Sequence, residues 1–427
     1  MYIHEETYGC TMNQGDTELM LGELESSGHK IVQSIEESDV VLVNTCAVTR
    51  TTLNRIVHRL KELAKMDDKK VVVGGCLPLI DLNKIEEIGE FAGIISCRTT
   101  EAINEVVERI SEGESGIRKI SGESRKTSKR RFRGGDISAP LAIAEGCLSD
   151  CSYCCVKRAR GRLRSFKPDE IVEEVREEVE AGRREIYITA QDTAAYGLDL
   201  GTDLPRLLKN VTTIPEKFRV RVGMMNPEYA GKILSDLLRV FESEKIYKFL
   251  HLPVQSGNDD VLREMRRGYE VKDFKRIVKS FEEKFPNLYL ATDIIVGFPG
   301  EDEEAFRDSC DLLKEIKPDK VNLTRFTPMP GTDAKEMKQI RSEEKKRRSK
   351  EMTDIVQEIS YEKNLNYWGN VTEGLVVKEG RKGGYVTRLP NYKPLIIEEA
   401  DPGDFIKVKV TEAEPTYLKG EVLKGAD

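Results

Sequence analysis

The chain has 427 residues, 33% of them charged, and a net charge of −7; a length of this order exceeds one ordinary core and predicts roughly two to four domains. No apolar run approaches the roughly 20 residues that span a bilayer, and the N-terminus MYIHEETYGC lacks the basic-then-apolar plan of a signal peptide. These features predict a cytoplasmic protein with no membrane partner, in which nine cysteines, an odd number, point to metal or redox chemistry rather than disulfides. The acidic balance excludes a uniformly basic nucleic-acid binder. Even so, Arg118 to Arg133 contains eight Lys or Arg residues and a single acid, Glu123, and EEKKRRSK (343–350) is a second basic run. Each reads either as a solvated face or as a segment that attracts phosphate.

From residue 1 to about 115, short β-branched runs alternate with amphipathic segments: DVVLVNT, then LNRIVHRLKELAK, then KVVVGG, LNKIEEIGEF and AGIIS. This pattern predicts a parallel sheet flanked by helices. Three of the strands end in cysteine, at Cys10, Cys46 and Cys76. Open α/β sheets bind ligands at the carboxyl ends of their strands, so these distant thiols can converge. Gly9 and Gly75 beside two of them would let a bulky ligand approach the backbone. A buried small hydrophobe is the plain alternative for each cysteine alone.

Residues 116–138 read as a basic linker. From 139 the alternation resumes through six strands, PLAIAEG, EIYITAQD, FRVRVGMM, YKFLHLPVQ, LYLATDIIVGF and KVNLTRFTP. Helical patterns lie between them, and PDEIVEEVREEVEAG opens with Pro168 at a helix-start position. Six β/α units predict a partial (β/α)6 barrel with its site at the C-terminal strand ends. Strand-end groups Glu185, Gln191, Gln255 and Asp293 are the candidate cofactor contacts, and Gly297, Pro299 and Gly300 shape the backbone near them. Beyond a charged helix ending near 363, residues 364–427 read as short strands forming a small OB-like β-barrel. Arg381, Lys382 and Arg388 near its turns, with Tyr385 and Tyr392 for stacking, are its candidate RNA contacts.

EGCLSDCSYCCVKRARGR (145–162) holds four cysteines directly after the first barrel strand. Cys147, Cys151 and Cys154 have the spacing C-x3-C-x2-C. Soft thiolates this close in sequence select zinc, copper(I) or an iron–sulfur cluster. Structural zinc usually takes four protein ligands, and no histidine is nearby, the four being His4, His29, His58 and His251. Three ligands on a four-iron cube would leave one iron open. Arg160 and Arg162 follow, positioned to neutralise these thiolates or meet RNA phosphate. Cys155 adjoins a ligand and is excluded, Cys310 lies on a helical core stripe with Phe306 and Leu313, Cys97 ends a further strand, either as a buried residue or beside the other strand-end cysteines, and His251 and Trp368 read as packing residues or stay unassigned.

The three-cysteine motif resembles that of radical S-adenosylmethionine enzymes, including Tyr153 before the last cysteine. Together with YGCTMN (8–13), NTCAV (44–48), GGC (74–76), LHLPVQSGNDDVLREMRRGY (250–269) and TDIIVGFPGE (292–301), it resembles the methylthiotransferase family over essentially the whole chain. The resemblance implies an N-terminal methylthiotransferase domain (1–115), a radical S-adenosylmethionine domain (139–363) and a C-terminal TRAM domain. It implies two 4Fe-4S clusters, one on Cys10, Cys46 and Cys76 that carries the sulfur and one on Cys147, Cys151 and Cys154 that binds S-adenosylmethionine. CVKRARGRLRSF from Cys155, with Lys157 where bacterial relatives carry proline, plus QDTAAYG (191–197) and GMMNPEY (223–229), is similar to the archaeal and eukaryotic branch. That branch methylthiolates N6-threonylcarbamoyladenosine at tRNA position 37, drawing on a sulfur donor and an electron donor of the reductase, ferredoxin or flavodoxin type. Two alternatives are methylthiolation of a ribosomal-protein aspartate and a non-enzymatic iron–sulfur or zinc RNA-binding protein.

Overall fold

The VVLVNT run is buried at every position, as a strand covered on both faces must be. In the computed structural model, which describes residues 1–46, 49–127 and 129–423, it forms the centre of a six-stranded parallel sheet. Ala47 and Val48 of the NTCAV motif lie outside the described residues. The strands are β1 (Tyr2–Thr7), β2 (Lys30–Val32), β3 (Val40–Thr45), β4 (Lys70–Gly75), β5 (Gly93–Ile95) and β6 (Ile117–Lys119), in the order β2-β1-β3-β4-β5-β6. Alternating side chains feed two cores. Val41 and Val43 pack with Ile56, Leu60 and Val73 on one face, and Val40 and Leu42 pack with Leu24, Val106 and Val107 on the other.

The chain divides into two compact units. The first comprises this sheet with residues 1–135, the segment 140–166 and the short stretch 327–335. Within it, β8 (Ala144–Glu145) pairs antiparallel with β9 (Arg164–Ser165), Ala144 opposite Ser165 and Glu145 opposite Arg164. This two-rung ladder closes the neck of the Cys147–Cys154 loop. Gly146 sits at that neck with φ +81, where a Cβ would meet the Arg162 carbonyl oxygen at 2.0 Å.

Most of the stretch expected as a linker, residues 116–135, is built into the first unit. Ile117–Lys119 supplies the sixth strand, and Lys126 and Arg131 are 0% and 2% exposed. Arg118 pairs with Glu86, Lys119 with Glu105 and Arg130 with Glu25. Much of its positive charge is therefore spent on internal carboxylates.

The second unit comprises 136–139, 167–326 and 336–427. The six expected barrel strands all form: β7 (Ser138–Ala142, only its first two residues in this unit), β10 (Glu185–Thr189), β11 (Arg219–Val222), β12 (Phe249–His251), β13 (Tyr289–Val296) and β14 (Lys320–Arg325). They lie in the orders β11-β10-β7 and β12-β13-β14, and a parallel bridge from Val220 to Ile246 continues the curve. The helix Ser342–Leu365 carries the second basic run, where Arg348 is 5% exposed and bound to Glu301 at 2.7 Å. After it, β15 (Val371–Glu379), β16 (Tyr385–Arg388), β17 (Pro394–Ile397), β18 (Phe405–Ala413) and β19 (Leu418–Val422) close a barrel in the order β15-β16-β17-β19-β18. Its core is Val376, Leu389, Leu395, Ile397, Val408, Val410 and Leu418.

Candidate functional site

Register brings the three strand-end cysteines together. Thr7 of β1 pairs with Asn44, Asn44 with Gly74, and Thr45 with Gly75. Cys10, Cys46 and Cys76 therefore leave the same edge of the sheet. Cys76 N donates to Thr45 O at 2.9 Å, and Cys97 N donates to Gly75 O at 2.8 Å, which adds a fourth thiol. An exchange of side-chain hydrogen bonds locks the edge: Asn13 Nδ2 donates to Thr45 O at 2.9 Å, and Asn44 Nδ2 donates to Asn13 O at 2.8 Å. Neither asparagine was singled out from sequence, although each lies inside a cysteine motif.

The glycines serve this convergence rather than the approach of a ligand. Gly75 (φ +96) would drive a Cβ to 2.3 Å from the Thr45 carbonyl, and Gly9 (φ +136) to 2.8 Å from Cys46 Cβ. Neighbouring strand ends occupy the space that sequence reasoning reserved for a cofactor.

Cys46 and Cys76 are 5% exposed, whereas Cys10 is exposed. The hydrogen bond from Cys97 lowers the Cys76 thiol, burial opposes it and the Arg160 guanidinium reinforces the fall, so the thiol lies below its ordinary value. The set joins soft donors to a compensating cation, which fits an iron–sulfur cluster. Cys97 is fully buried and Cys155 2% exposed, in one core with Cys46 and Cys76. Burial and then Cys154 push the Cys155 thiol up to about 12, as suits a cysteine that stays protonated.

On the closed loop, Cys154 N donates to Cys151 O at 3.1 Å and Cys147 N to Gly161 O at 3.1 Å. Burial, then the neighbouring Cys151 and Cys147, raise the Cys154 thiol to about 11. Ala334 N donates to Ser152 O at 2.9 Å, so the stretch 327–335 buttresses the loop. Three mutually interacting thiols on one short loop fit a cluster with one iron left to a second ligand.

In the second unit, Gln255 follows β12 with φ 72, and its N and O atoms bond Asp293 O and Ile295 N on β13. Asp293 lies in mid-strand rather than at the strand end; its Oδ1 accepts from Asn322 Nδ2 at 2.7 Å and lies 2.9 Å from His251 Nε2. Burial would raise Asp293, yet the His251 bond holds it below its ordinary value. His251, expected to pack, is thus half of a polar pair. Asp192, beside Gln191, is 4% exposed; its Oδ1 accepts from Ala194 N and Asn226 N while Oδ2 has no partner. Burial raises Asp192 to about 6. Gly297 (φ +73) donates its N to Glu301 Oε1 at 3.0 Å, in keeping with a backbone-shaping role.

Glu185 is a correction. It opens β10 instead of ending it, and its carboxylate accepts from Ser138 Oγ at 2.5 Å, Tyr187 OH at 2.7 Å and Tyr247 OH at 2.9 Å. Three hydroxyls engage both of its oxygens at the end of the barrel away from the expected site. Arg388 and Tyr392 are corrected in the same way. Arg388 stacks on Tyr392 at 4.2 Å, and Tyr392 packs against Phe249 at 4.9 Å and Tyr247 at 5.1 Å, which withholds both from RNA. Arg381 and Lys382 are exposed in the β15–β16 turn. Trp368, expected to pack, is 67% exposed.

Three family models match in sequence order: "Uncharacterized protein family UPF0004" over 2–96, "Radical SAM superfamily" over 141–313 and "TRAM domain" over 367–423. A Pyrococcus horikoshii protein named probable threonylcarbamoyladenosine tRNA methylthiotransferase is 43% identical over 99% of both chains. The threonylcarbamoyladenosine tRNA methylthiotransferase of Homo sapiens is 34% identical over 98% of this chain and 74% of its own. The chain belongs to the threonylcarbamoyladenosine tRNA methylthiotransferase family. As a radical SAM family member it uses an iron–sulfur cluster and S-adenosylmethionine. The fold is also similar to that of the radical S-adenosylmethionine methyltransferase TsrM from Kitasatospora setae, with TM-score 0.56 and 15% identity over 78% of this chain and 76% of that one. Among the described residues of this methylthiotransferase, no helix is long and apolar enough to cross a membrane.

Proposed function

We propose that this chain converts N6-threonylcarbamoyladenosine at position 37 of tRNA to its 2-methylthio derivative in the cytoplasm. The observation that carries the reading is the full-length identity to relatives named for that nucleoside. In this reading residues 1–115, 139–363 and 364–427 act as the methylthiotransferase, radical S-adenosylmethionine and RNA-binding domains. Cys10, Cys46 and Cys76 hold one 4Fe-4S cluster, and Cys147, Cys151 and Cys154 hold the other.

When bound, these groups supply a 5'-deoxyadenosyl radical and the sulfur, which acid–base side chains cannot do at an adenine C2–H bond. The chain's own work is positional. The β8–β9 ladder fixes the loop thiols, the Asn13–Asn44 exchange fixes the strand-end thiols, and Gln191, Gln255 and Asp293 are polar groups for S-adenosylmethionine. Arg381 and Lys382 meet RNA phosphate, and Trp368 offers a ring for base stacking. A sulfur donor and a ferredoxin-, flavodoxin- or reductase-type electron donor complete the cycle.

Nucleoside mass spectrometry of tRNA from cells lacking the gene, and from cells rescued with it or with Cys151→Ala or Cys46→Ala, tests the reading. The 2-methylthio form should vanish without the gene and return only with the unaltered chain. An unchanged level in the deletion strain would refute the substrate.

A further inference from the structure

Arg160 ends the short helix Val156–Arg160 that follows the radical-domain cysteine loop. Its guanidinium turns into the interior of the first unit, with the side chain 1% exposed. Nη2 forms an ion pair with Asp16 Oδ2 at 2.7 Å and donates to Asn13 Oδ1 at 3.3 Å, and Nη1 donates to Glu145 Oε1 at 2.9 Å. The fully buried Lys126 Nζ closes the network, 2.6 Å from Asp16 Oδ1 and 2.7 Å from Glu145 Oε1. Asn13 Oδ1 also accepts from Cys10 Sγ at 3.4 Å, so Arg160 and Cys10 share one acceptor, and the guanidinium charge acts on Cys10, Cys76 and Cys97. A residue anchored beside one cysteine set thus delivers its charge to the other. Glu145, two residues before Cys147, and Asp16, six after Cys10, are its fixed counter-charges.

We propose that Arg160 is a positioning residue that holds the two cysteine sets in register and sets the reduction potential of the cluster on Cys10, Cys46 and Cys76. The inference rests on the two-cluster reading. A cluster that gains an electron becomes more negative, so a neighbouring cation stabilises the reduced form and raises the potential. Asp16 opposes that effect. Loss of either partner must therefore shift the potential in opposite directions, whereas a purely structural ion pair would loosen the site in the same way from either side.

The full chain carrying Cys151→Ala, which removes a ligand of the radical-domain cluster, is reconstituted anaerobically, its iron is counted, and the remaining cluster is titrated with EPR detection. Arg160→Gln should move the reduced-to-oxidised ratio at the parent midpoint at least tenfold towards oxidised, equivalent to 59 mV for one electron. Asp16→Asn should move it the other way, and Arg160→Lys should stay within threefold. Arg160→Gln with full iron and a ratio within threefold of the parent overturns the inference. So does Asp16→Asn that leaves the midpoint unchanged or shifts it downward, and this variant decides alone if Arg160→Gln loses iron. A Cys151→Ala parent without iron defeats the second cluster and this inference together, whereas iron present with an unmoved potential defeats only the inference.

Discussion

Asp192 keeps one carboxylate oxygen without a partner in a fully desolvated position, and it titrates near 6 instead of its ordinary 3.8. A carboxyl whose folded value is raised supports the fold below its unfolded value, and that support is lost as pH climbs through the folded one, here between about 3.8 and 6. Asp192→Asn retains an oxygen to accept from Ala194 N and Asn226 N. The variant should therefore be more stable than the parent at pH 7.5 by up to about 3 kcal/mol and lose the advantage by pH 4. Urea titrations at the two pH values check this, and parallel pH profiles for both proteins would contradict it. Sequence pattern reaches Gln191 and stops short of Asp192, because what distinguishes the aspartate is its burial with one carboxylate oxygen left without a partner, a property of packing. The cysteines stood out because spacing alone constrains a metal site. Arg160 stood out only for the thiolates of its own loop or RNA phosphate; its reach to the strand-end set was not legible, because its partners are 144 and 147 positions away in sequence, at Asp16 and Asn13.

At the scale of elements, the Cys147–Cys154 loop depends on a ladder of two residue pairs, and the geometry of Gly146 at its neck admits no side chain. On the proposed two-cluster reading, Gly146→Ala should open the ladder, cut bound iron to roughly half that of the parent by losing one of two cubes, and leave the strand-end set loaded. Iron analysis paired with a spectrum of the remaining cluster tests this; full iron in the variant would show the ladder to be dispensable. The long strands were readable because β-branched runs such as VVLV and YLATDIIV leave little choice of structure. Strands β2 and β6, three residues each, carry too few positions for a period to show. The helix Thr11–Ser26 went unread because its buried residues include Asn13, Gly15, Asp16, Thr17 and Gly22, so no apolar stripe marks it. Glu185 was misplaced for a related reason. A polar residue next to a strand run says nothing about which end of the barrel it faces.

For the whole molecule, a charge of −7 confines RNA to the places where cations remain uncommitted, and internal pairing of Lys126, Arg130, Arg131 and Arg348 narrows these further. Arg381 and Lys382 stay exposed. Replacing both with Gln should reduce the slope of log affinity for tRNA against log salt by roughly 0.7–0.9 per lost phosphate contact, while Arg388→Gln should act on stability instead. Filter binding across a salt series measures this, and an unchanged slope in the double variant would remove the β15–β16 turn from the RNA face.

Tyr392, with φ 73 at the tip of the β16–β17 turn, is wedged among Tyr187, Tyr247 and Phe249 beneath the partial barrel. Lys393 beside it reaches Asp319 at 2.8 Å and Asn364 at 2.5 Å. The small C-terminal barrel is therefore also a floor for the larger one. Deleting it to ask whether it recruits RNA would uncover these three aromatic rings and the buried Asp319 carboxylate, and the truncated enzyme would fail for reasons unrelated to recruitment. In this chain, division of labour between domains has to be dissected by single surface substitutions rather than by shears.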